Sequence, residues 1–463
     1  MHRRILFTSL AAAILVPSAS GAPAVRGQSL MPGVVYSRQV EFTAHGPVVL
    51  NVVSAPRPQG LYSLRAALSN GAVQGRERLT DMEKEVSGQT TVVGISGDFF
   101  DARWGSPSSI VIRSGFLNAG TIGGRSAAGF DSGGKLHVDR VALDGSWQGT
   151  GQYRPLTLNA PPSRSPVTLY TPAWGPTTPA ESGTTEVVLA PFPAATPNVV
   201  LSAPATQVQS GGGQAIPPNG AVIVARGRQA PILTKEAPAG THVNVRLILT
   251  PSWDGIHEAI GGGPVLVRNG RPVFRASEAF TASQLLTRTA RSAVGQTADG
   301  HVLFVTVDGG RPGYSLGLTN FELALAMVRL GAVSATALGT GAAASVAFDG
   351  KLLSRPSSPA GESQVADALF LQYDGVYAPA LPATVAAGKT QALTYKIVRP
   401  STVKATLTGP GGTTTLDNGT HDPGMYHFDL TATTAGRWTF SVDAVDDLGR
   451  DSSSERSFTV GGA

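Results

Sequence analysis

Short apolar runs along this chain keep ending on a two-residue turn signal: Ser114-Gly115 in IVIRSGFL, Asn269-Gly270 in VLVRNGRPVF, Asp299-Gly300 in VGQTADGHVLFVTV and Asp349-Gly350 in VAFDGKLL. A tight hairpin needs positive φ at its turn, which glycine supplies without steric cost. The body of the chain is therefore expected to be a series of β-hairpins. The composition agrees, because 56 glycines, 33 prolines and only 14% charged residues suit many short strands joined by tight turns. At 41% hydrophobic residues the chain also has ample material for cores, so long disorder is not expected.

Two helices interrupt the hairpins. The first is expected to begin at Thr80, with Glu83 three residues on as its capping-box partner, and to stop at Gly88. The second begins at Thr319 with Glu322 as partner, turns Leu323, Ala326, Met327 and Leu330 to one face, and stops at Gly331. Leu318 and Leu323 are spaced to staple its entrance. Strand-like runs follow each helix, at 90–95 and 334–338, and each ends in a glycine-bearing loop where chemistry is to be sought.

At the N-terminus, Arg3 and Arg4 precede an apolar stretch and then small residues, the pattern of a secretory signal peptide over residues 1–24, cleaved near Gly21 or Ala24. The mature chain is expected to be secreted or extracytoplasmic. No run of about 18 apolar residues suggests a membrane span. Without Arg3 and Arg4 the formal charge falls from +5 to about +3, too small an excess to mark a nucleic-acid partner. There are no cysteines, so neither disulfides nor thiolate metal sites are available.

Residues 151–220 are rich in proline, serine and threonine but keep runs such as VTLY and TTEVVLAPF, and are read as a loop-rich part of the main domain. The stretch 378–388, APALPATVAAG from Ala378, has linker composition. Beyond it, apolar alternation at Val403, Ala405, Leu407, then Tyr426, Phe428, Leu430, then Trp438, Phe440, Val442, with turn signals GPGG, LDNG, TAG and DDLG, is expected to give a β-sandwich. The fold class is thus α+β: a mixed, β-rich main domain over 33–377 with a few helices, then a small sandwich over 389–463. That module resembles the immunoglobulin-like domains appended to secreted bacterial enzymes, with contact to cell-envelope glycan as one role and a plain spacer as the other.

Four stretches of the main domain carry a resemblance. They are GISGDFFDARWGSPSSIVIRSG from Gly94, EAIGGGPVLVRNG from Glu258, ARSAVGQTADGHVLFVTVDGGRPGYSLGLTNFELA from Ala290, and ALGTGAAASVAFDGKLLSRPSSPAGESQVADALFL from Ala337. In order and spacing they resemble the phosphodiester glycosidase family, over about residues 33–373. The resemblance implies hydrolysis of the bond between a sugar's anomeric carbon and a phosphodiester, with a carbohydrate or glycosyl phosphate as substrate. Departures are also visible. Ser96 stands where the family has asparagine, Gly339 where its Leu-Asp-Gly-Gly-Gly motif has aspartate, and Ala343 and Ala344 where it has two serines. The loop has lost a carboxylate and two hydroxyls.

Cleaving a glycosyl phosphate requires support for an oxocarbenium-like centre and a hold on the departing phosphate, which as a weak base needs less general-acid help than an ordinary leaving alcohol. Asp98 and Asp308 each follow an apolar run and enter a glycine-rich loop, so either could serve as acid, base or metal-holding group. Alone, each is more often a turn-former bonded to nearby backbone. The resemblance places Arg291 as a phosphate clamp, with Arg311 a second candidate, although its loop departs from the family's Gly-Arg-Gln. Tyr314 and Ser315 are placed to bond sugar hydroxyls, and Gly262 and Gly263 to line the substrate's path. The sequence singles out no cofactor; a divalent ion on Asp98, Asp308 and backbone oxygens is compatible with it, whereas the histidines lack zinc spacing. The fingerprint-like run from Gly339 to Ala344 lacks the helix that dinucleotide binding needs. Two other readings stand beside the hydrolase: a degenerate glycan-binding protein that keeps the fold, favoured by Gly339, and a purely structural surface protein.

Overall fold

The computed structural model describes residues 24–120, 123–274 and 277–461. The proposed signal peptide lies, but for Ala24, outside the described residues. The chain is 52% strand and 10% helix, an α+β protein dominated by sheets. All four glycine-ending signals sit at hairpin turns. Ser114, Asn269 and Asp349 have φ of 51°, 52° and 47°, each followed by a positive-φ glycine, and the flanking strands pair antiparallel. At Asp299-Gly300 a longer turn joins Arg291–Thr297 to Val302–Val307.

An eight-stranded sheet forms the frame, with Ala24–Met31, Val34–Thr43 and Gly46–Ala55 on one side of Val302–Val307, and Arg291–Thr297, Ala332–Thr340 and the hairpin from Val265 on the other. A five-stranded sheet centred on Thr91–Ser96 and Asp367–Tyr373 and another centred on Ile256–Gly261 pack against it around one core that includes Val53, Ile95, Phe130, Phe304 and Leu369. Helix Asn320–Arg329 covers the far face of the frame. Its Thr319 cap and Glu322 form the expected capping box, and Leu318 and Leu323 lie in one core cluster with Met327.

The first helix departs from expectation. It runs Leu79–Val86, and Thr80 lies inside it rather than at its cap. The capping carboxylate is Glu362, which accepts from the Thr80 backbone N–H at 3.0 Å and from its hydroxyl at 2.6 Å. Glu83 instead points into the core, fully buried, and accepts from the Gly350 N–H at 2.8 Å.

The proline-rich stretch is far more ordered than its composition suggested. Residues 142–250 form a closed seven-stranded barrel, in the order Ala142–Gln148, Arg154–Leu158, Val167–Tyr170, Ala221–Arg226, Thr184–Leu189, Val200–Ser210 and His242–Thr250, filled by Trp147, Leu169, Ile223 and Val245 among others. Here the prolines lie mainly in connections, leaving strand ladders free to pair.

In the C-terminal sandwich, Val403, Ala405, Leu407, Phe440 and Val442 face a common core, with Tyr426, Phe428, Leu430 and Trp438 packed on it. The LDNG run is not a turn; it lies within the strand Gly412–His421, at a bulge where the register with Ser401–Gly409 shifts. Within 378–388, Ala378 is buried and Thr384–Ala386 pairs in parallel with Asp451–Gly461, so this stretch packs with the sandwich. Lys396 and Arg456 of the sandwich bond the carbonyls of Thr90 and Leu30 at 2.9 and 3.1 Å, fixing it to the main domain.

Candidate active site

Thr91–Ser96 is buried along its whole length, and the chain leaves it at Gly97 to place Asp98 at the wall of a cavity of about 470 Å³. Asp98 is itself buried. Its Oδ1 accepts from the Phe99 N–H and its Oδ2 from the Ser109 N–H, both at 2.7 Å. Its own N–H donates to Asp367 Oδ1 at 2.7 Å. Burial pushes the Asp98 carboxyl up to about 6, and the N–H donors and the Arg125 charge hold it from rising further. Asp367 is pushed well above the ordinary carboxylate range, by burial first and then by the charge of Asp98.

Glycines make room for this pair. A Cβ on Gly97 would lie 2.4 Å from Asp367 Oδ1, and one on Gly261 would lie 2.5 Å from Asp98 Oδ2. Gly339, Thr340, Ala342 and Ala343 also line the cavity, and the Gly339 N–H donates to the Gly97 carbonyl at 2.7 Å, next to Asp98. A Cβ on Gly339 would sit 3.0 Å from that carbonyl oxygen. A side chain there would stand at the Asp98 loop.

Cations surround the carboxyl. Arg125 lies over the Phe280 and Phe99 rings, 4.5 and 5.1 Å from their centroids, and Arg164 bonds the Ser108 carbonyl at 2.9 Å. At the rim, Arg76 stacks on Phe100 and, among the described residues, forms no ion pair.

Asp308 builds a separate cluster. Its Oδ1 accepts from Asn51 at 2.8 Å and from the Arg355 N–H at 3.0 Å, and its Oδ2 from the Tyr314 hydroxyl at 2.7 Å. Arg38 donates to Tyr314 at 3.2 Å. Burial raises the Asp308 carboxyl as well. Asp98 and Asp308 share no hydrogen-bond partner, and among the described residues no three histidine, cysteine or acidic side chains converge as a metal cage.

Several residues named from the sequence hold structure instead. Arg291 is fully buried. Four hydrogen bonds, to the carbonyls of Leu318, Gln284 and Thr287 and to Asn320 Oδ1, occupy its guanidinium. It therefore offers no open fork to a phosphate, and burial lowers it to about 10. Arg311 bonds the carbonyls of Pro356 and Ser358. Ser315 is buried between the Asp308 carbonyl and the Val49 N–H, and Tyr314 is turned onto Asp308. Gly262 and Gly263 permit close packing: added Cβ atoms would lie 2.4 Å from the Ala337 carbonyl oxygen and 2.7 Å from Glu278 Oε2.

Residues 198–372 match the model of the phosphodiester glycosidase family, a hydrolase family. This stretch is similar to phosphodiester glycosidases, and it holds Asp308 and Asp367, with Asp98 before it. Its fold is similar to that of a hypothetical protein from Synechocystis, at 25% identity and a TM-score of 0.65 over 76% of this chain; the alignment spans 64% of that protein's length. It is also similar to a protein of Burkholderia pseudomallei K96243, at 23% identity and a TM-score of 0.58 over 72% of this chain and 76% of that one. Zebrafish N-acetylglucosamine-1-phosphodiester alpha-N-acetylglucosaminidase aligns at 15% identity over 76% of this chain and 84% of that one, with a TM-score of 0.39, too low to bear on the site. No curated protein sequence matches the chain.

Proposed function

We propose that the protein is a secreted hydrolase that cleaves a sugar phosphodiester of the cell envelope in the Asp98 cavity. The observation that carries this reading is a buried carboxyl at the wall of a cavity, backed by a second carboxyl and overlooked by an arginine without an ion-pair partner among the described residues, in a chain whose residues 198–372 match the phosphodiester glycosidase model. The phosphate leaves as a weak base, so the need lies at the sugar carbon and its attacking water. Asp98 in its ionised form takes a proton from that water as the carbon–oxygen bond to phosphate breaks. Its oxygens each accept one backbone N–H, and a carboxylate has lone pairs to spare for water. Arg76 at the rim meets the phosphate, the task first assigned to Arg291. Asp308, Tyr314 and Ser315 brace the frame sheet through their own hydrogen bonds.

A second reading, a glycan-binding protein without turnover, is favoured by one feature: Gly339, Ala342 and Ala343 line the cavity with Asp98 where the resembled motif has a carboxylate and hydroxyls. The test is release of phosphate monoester from a sugar phosphodiester by the mature protein and by Asp98→Asn. Turnover that vanishes in the variant supports the hydrolase. Binding without turnover gives the second reading, and turnover unchanged in the variant removes Asp98 from the reaction.

A further inference from the structure

A second cavity, of about 730 Å³, lies between the main domain and the C-terminal sandwich and shares no lining residue with the Asp98 cavity. One wall is the outer face of the five-stranded sandwich sheet. Strand pairing sets Asn418 opposite Lys404, Lys404 opposite Asp443, and Asp443 opposite Ser453. Amide, ammonium, carboxylate and hydroxyl thus stand in one row across four strands, about 14 Å long at the usual strand spacing. The residues beside Lys404 and Asp443 in sequence (Val403, Ala405, Val442 and Ala444) point the other way, into the sandwich core.

Among the described residues, none of the four side chains in this row is hydrogen-bonded or ion-paired within the protein, although Lys404 and Asp443 are direct cross-strand neighbours. The opposite wall belongs to the main domain and is largely apolar, with Pro32, Pro56, Leu61 and Tyr62. The Tyr62 ring is held against Tyr373 at 4.9 Å.

We propose that this cleft binds a neutral oligosaccharide. Its size and its place at a domain boundary are those of small-molecule sites. The polar row offers donors and acceptors in alternation, which suits hydroxyl groups because each hydroxyl both donates and accepts. An anionic ligand would meet Asp443 and Asp451, and a cationic one Lys404. The apolar wall with its tyrosine suits the C–H face of a sugar ring. The site takes glycan without a phosphodiester and does not require the Asp98 cavity to be catalytic.

Calorimetric titration of the mature chain with maltotriose, cellotriose and chitotriose, with sialyllactose as the anionic comparison, tests the assignment. At least one neutral trisaccharide should bind with a dissociation constant of about 1 mM or tighter, and more tightly than sialyllactose. The Lys404→Ala/Asp443→Ala and Asn418→Ala/Ser453→Ala variants, whose changes lie on the exposed face, should each keep their melting temperature and weaken binding by about tenfold. Asp98→Asn should bind as tightly as the parent. Failure of every neutral trisaccharide to bind, affinity unchanged in both double variants, or affinity lost in Asp98→Asn each overturns the proposal.

Discussion

The backbone N–H of Asp98 donates to the Asp367 carboxyl at 2.7 Å, while the second oxygen of Asp367 is buried without a partner among the described residues. One carboxyl thus fixes the backbone that carries the other. Because a buried charge with an unmet acceptor is costly, Asp367 is held in its neutral form.

The first consequence is a pH profile. Asp98 works ionised and titrates near 6, so kcat/KM should rise as pH increases through about 6 and then level. Asp98→Asn should lower turnover by roughly 10²–10⁴ and remove this limb. A profile flat from pH 5 to 8 would count against Asp98 as the base.

The same shifts bear on stability. Both carboxyls titrate higher folded than unfolded, so their contribution is complete below the unfolded value near 4 and is lost as pH rises through the folded values. Asp367→Asn keeps an acceptor for the Asp98 N–H and cannot ionise. Its melting temperature should fall less than the parent's between pH 4 and pH 8, as thermal unfolding across that range will show.

Two arginines should behave in opposite ways. Arg291→Met leaves three backbone carbonyls without their buried donor and should cost about 3 kcal/mol or more in chemical denaturation. Arg76→Ala should leave the melting temperature unchanged and raise KM for a phosphodiester by roughly tenfold. If the effects were exchanged, Arg291 would regain the clamp.

At Gly261 the new methyl of Gly261→Ala would sit 2.5 Å from Asp98 Oδ2. The carboxyl must move, so turnover should drop by about a hundredfold even where the variant folds. Comparing kcat with the melting temperature separates the two effects.

The helix Leu79–Val86 supplies a last check. Glu362→Ala removes the acceptor for both the N–H and the hydroxyl of Thr80 and should cost about 1–2 kcal/mol of unfolding free energy.

What could be read from residues alone was local. Positive-φ turns, the Thr319–Glu322 box and the Leu318–Leu323 staple depend on neighbours in sequence, and they formed as expected. Distant partners decided the rest. Thr80 and Glu83 have capping-box spacing, but Glu362 takes the cap and Glu83 turns inward. Arg291 looks the same on paper as clamp or staple, and only the carbonyls of Gln284, Thr287 and Leu318 choose between them. Asp367 left one sign in the sequence, a lone carboxylate opening an apolar run. The barrel was hidden because several of its pairings join strands far apart in the chain, as Ala142–Gln148 joins His242–Thr250.

That last pairing has a topological meaning. The barrel's first and last strands lie side by side, with Ala142 opposite Thr250, so the chain comes back to where it left after more than a hundred residues. Leu136–Arg140 before it and Ile256–Gly261 after it both flank Ser126–Asp131 in a single sheet. The barrel is thus inserted in one crossing of the host sheet, yet it is not detachable from it. Ile112, Leu117, Ala127 and Ala259 of that sheet pack with Leu169 and Val245 of the barrel in one core, and Tyr170 and Val224 of the barrel join the core of the frame. Excising residues 142–250 would strip apolar cover from two cores at once.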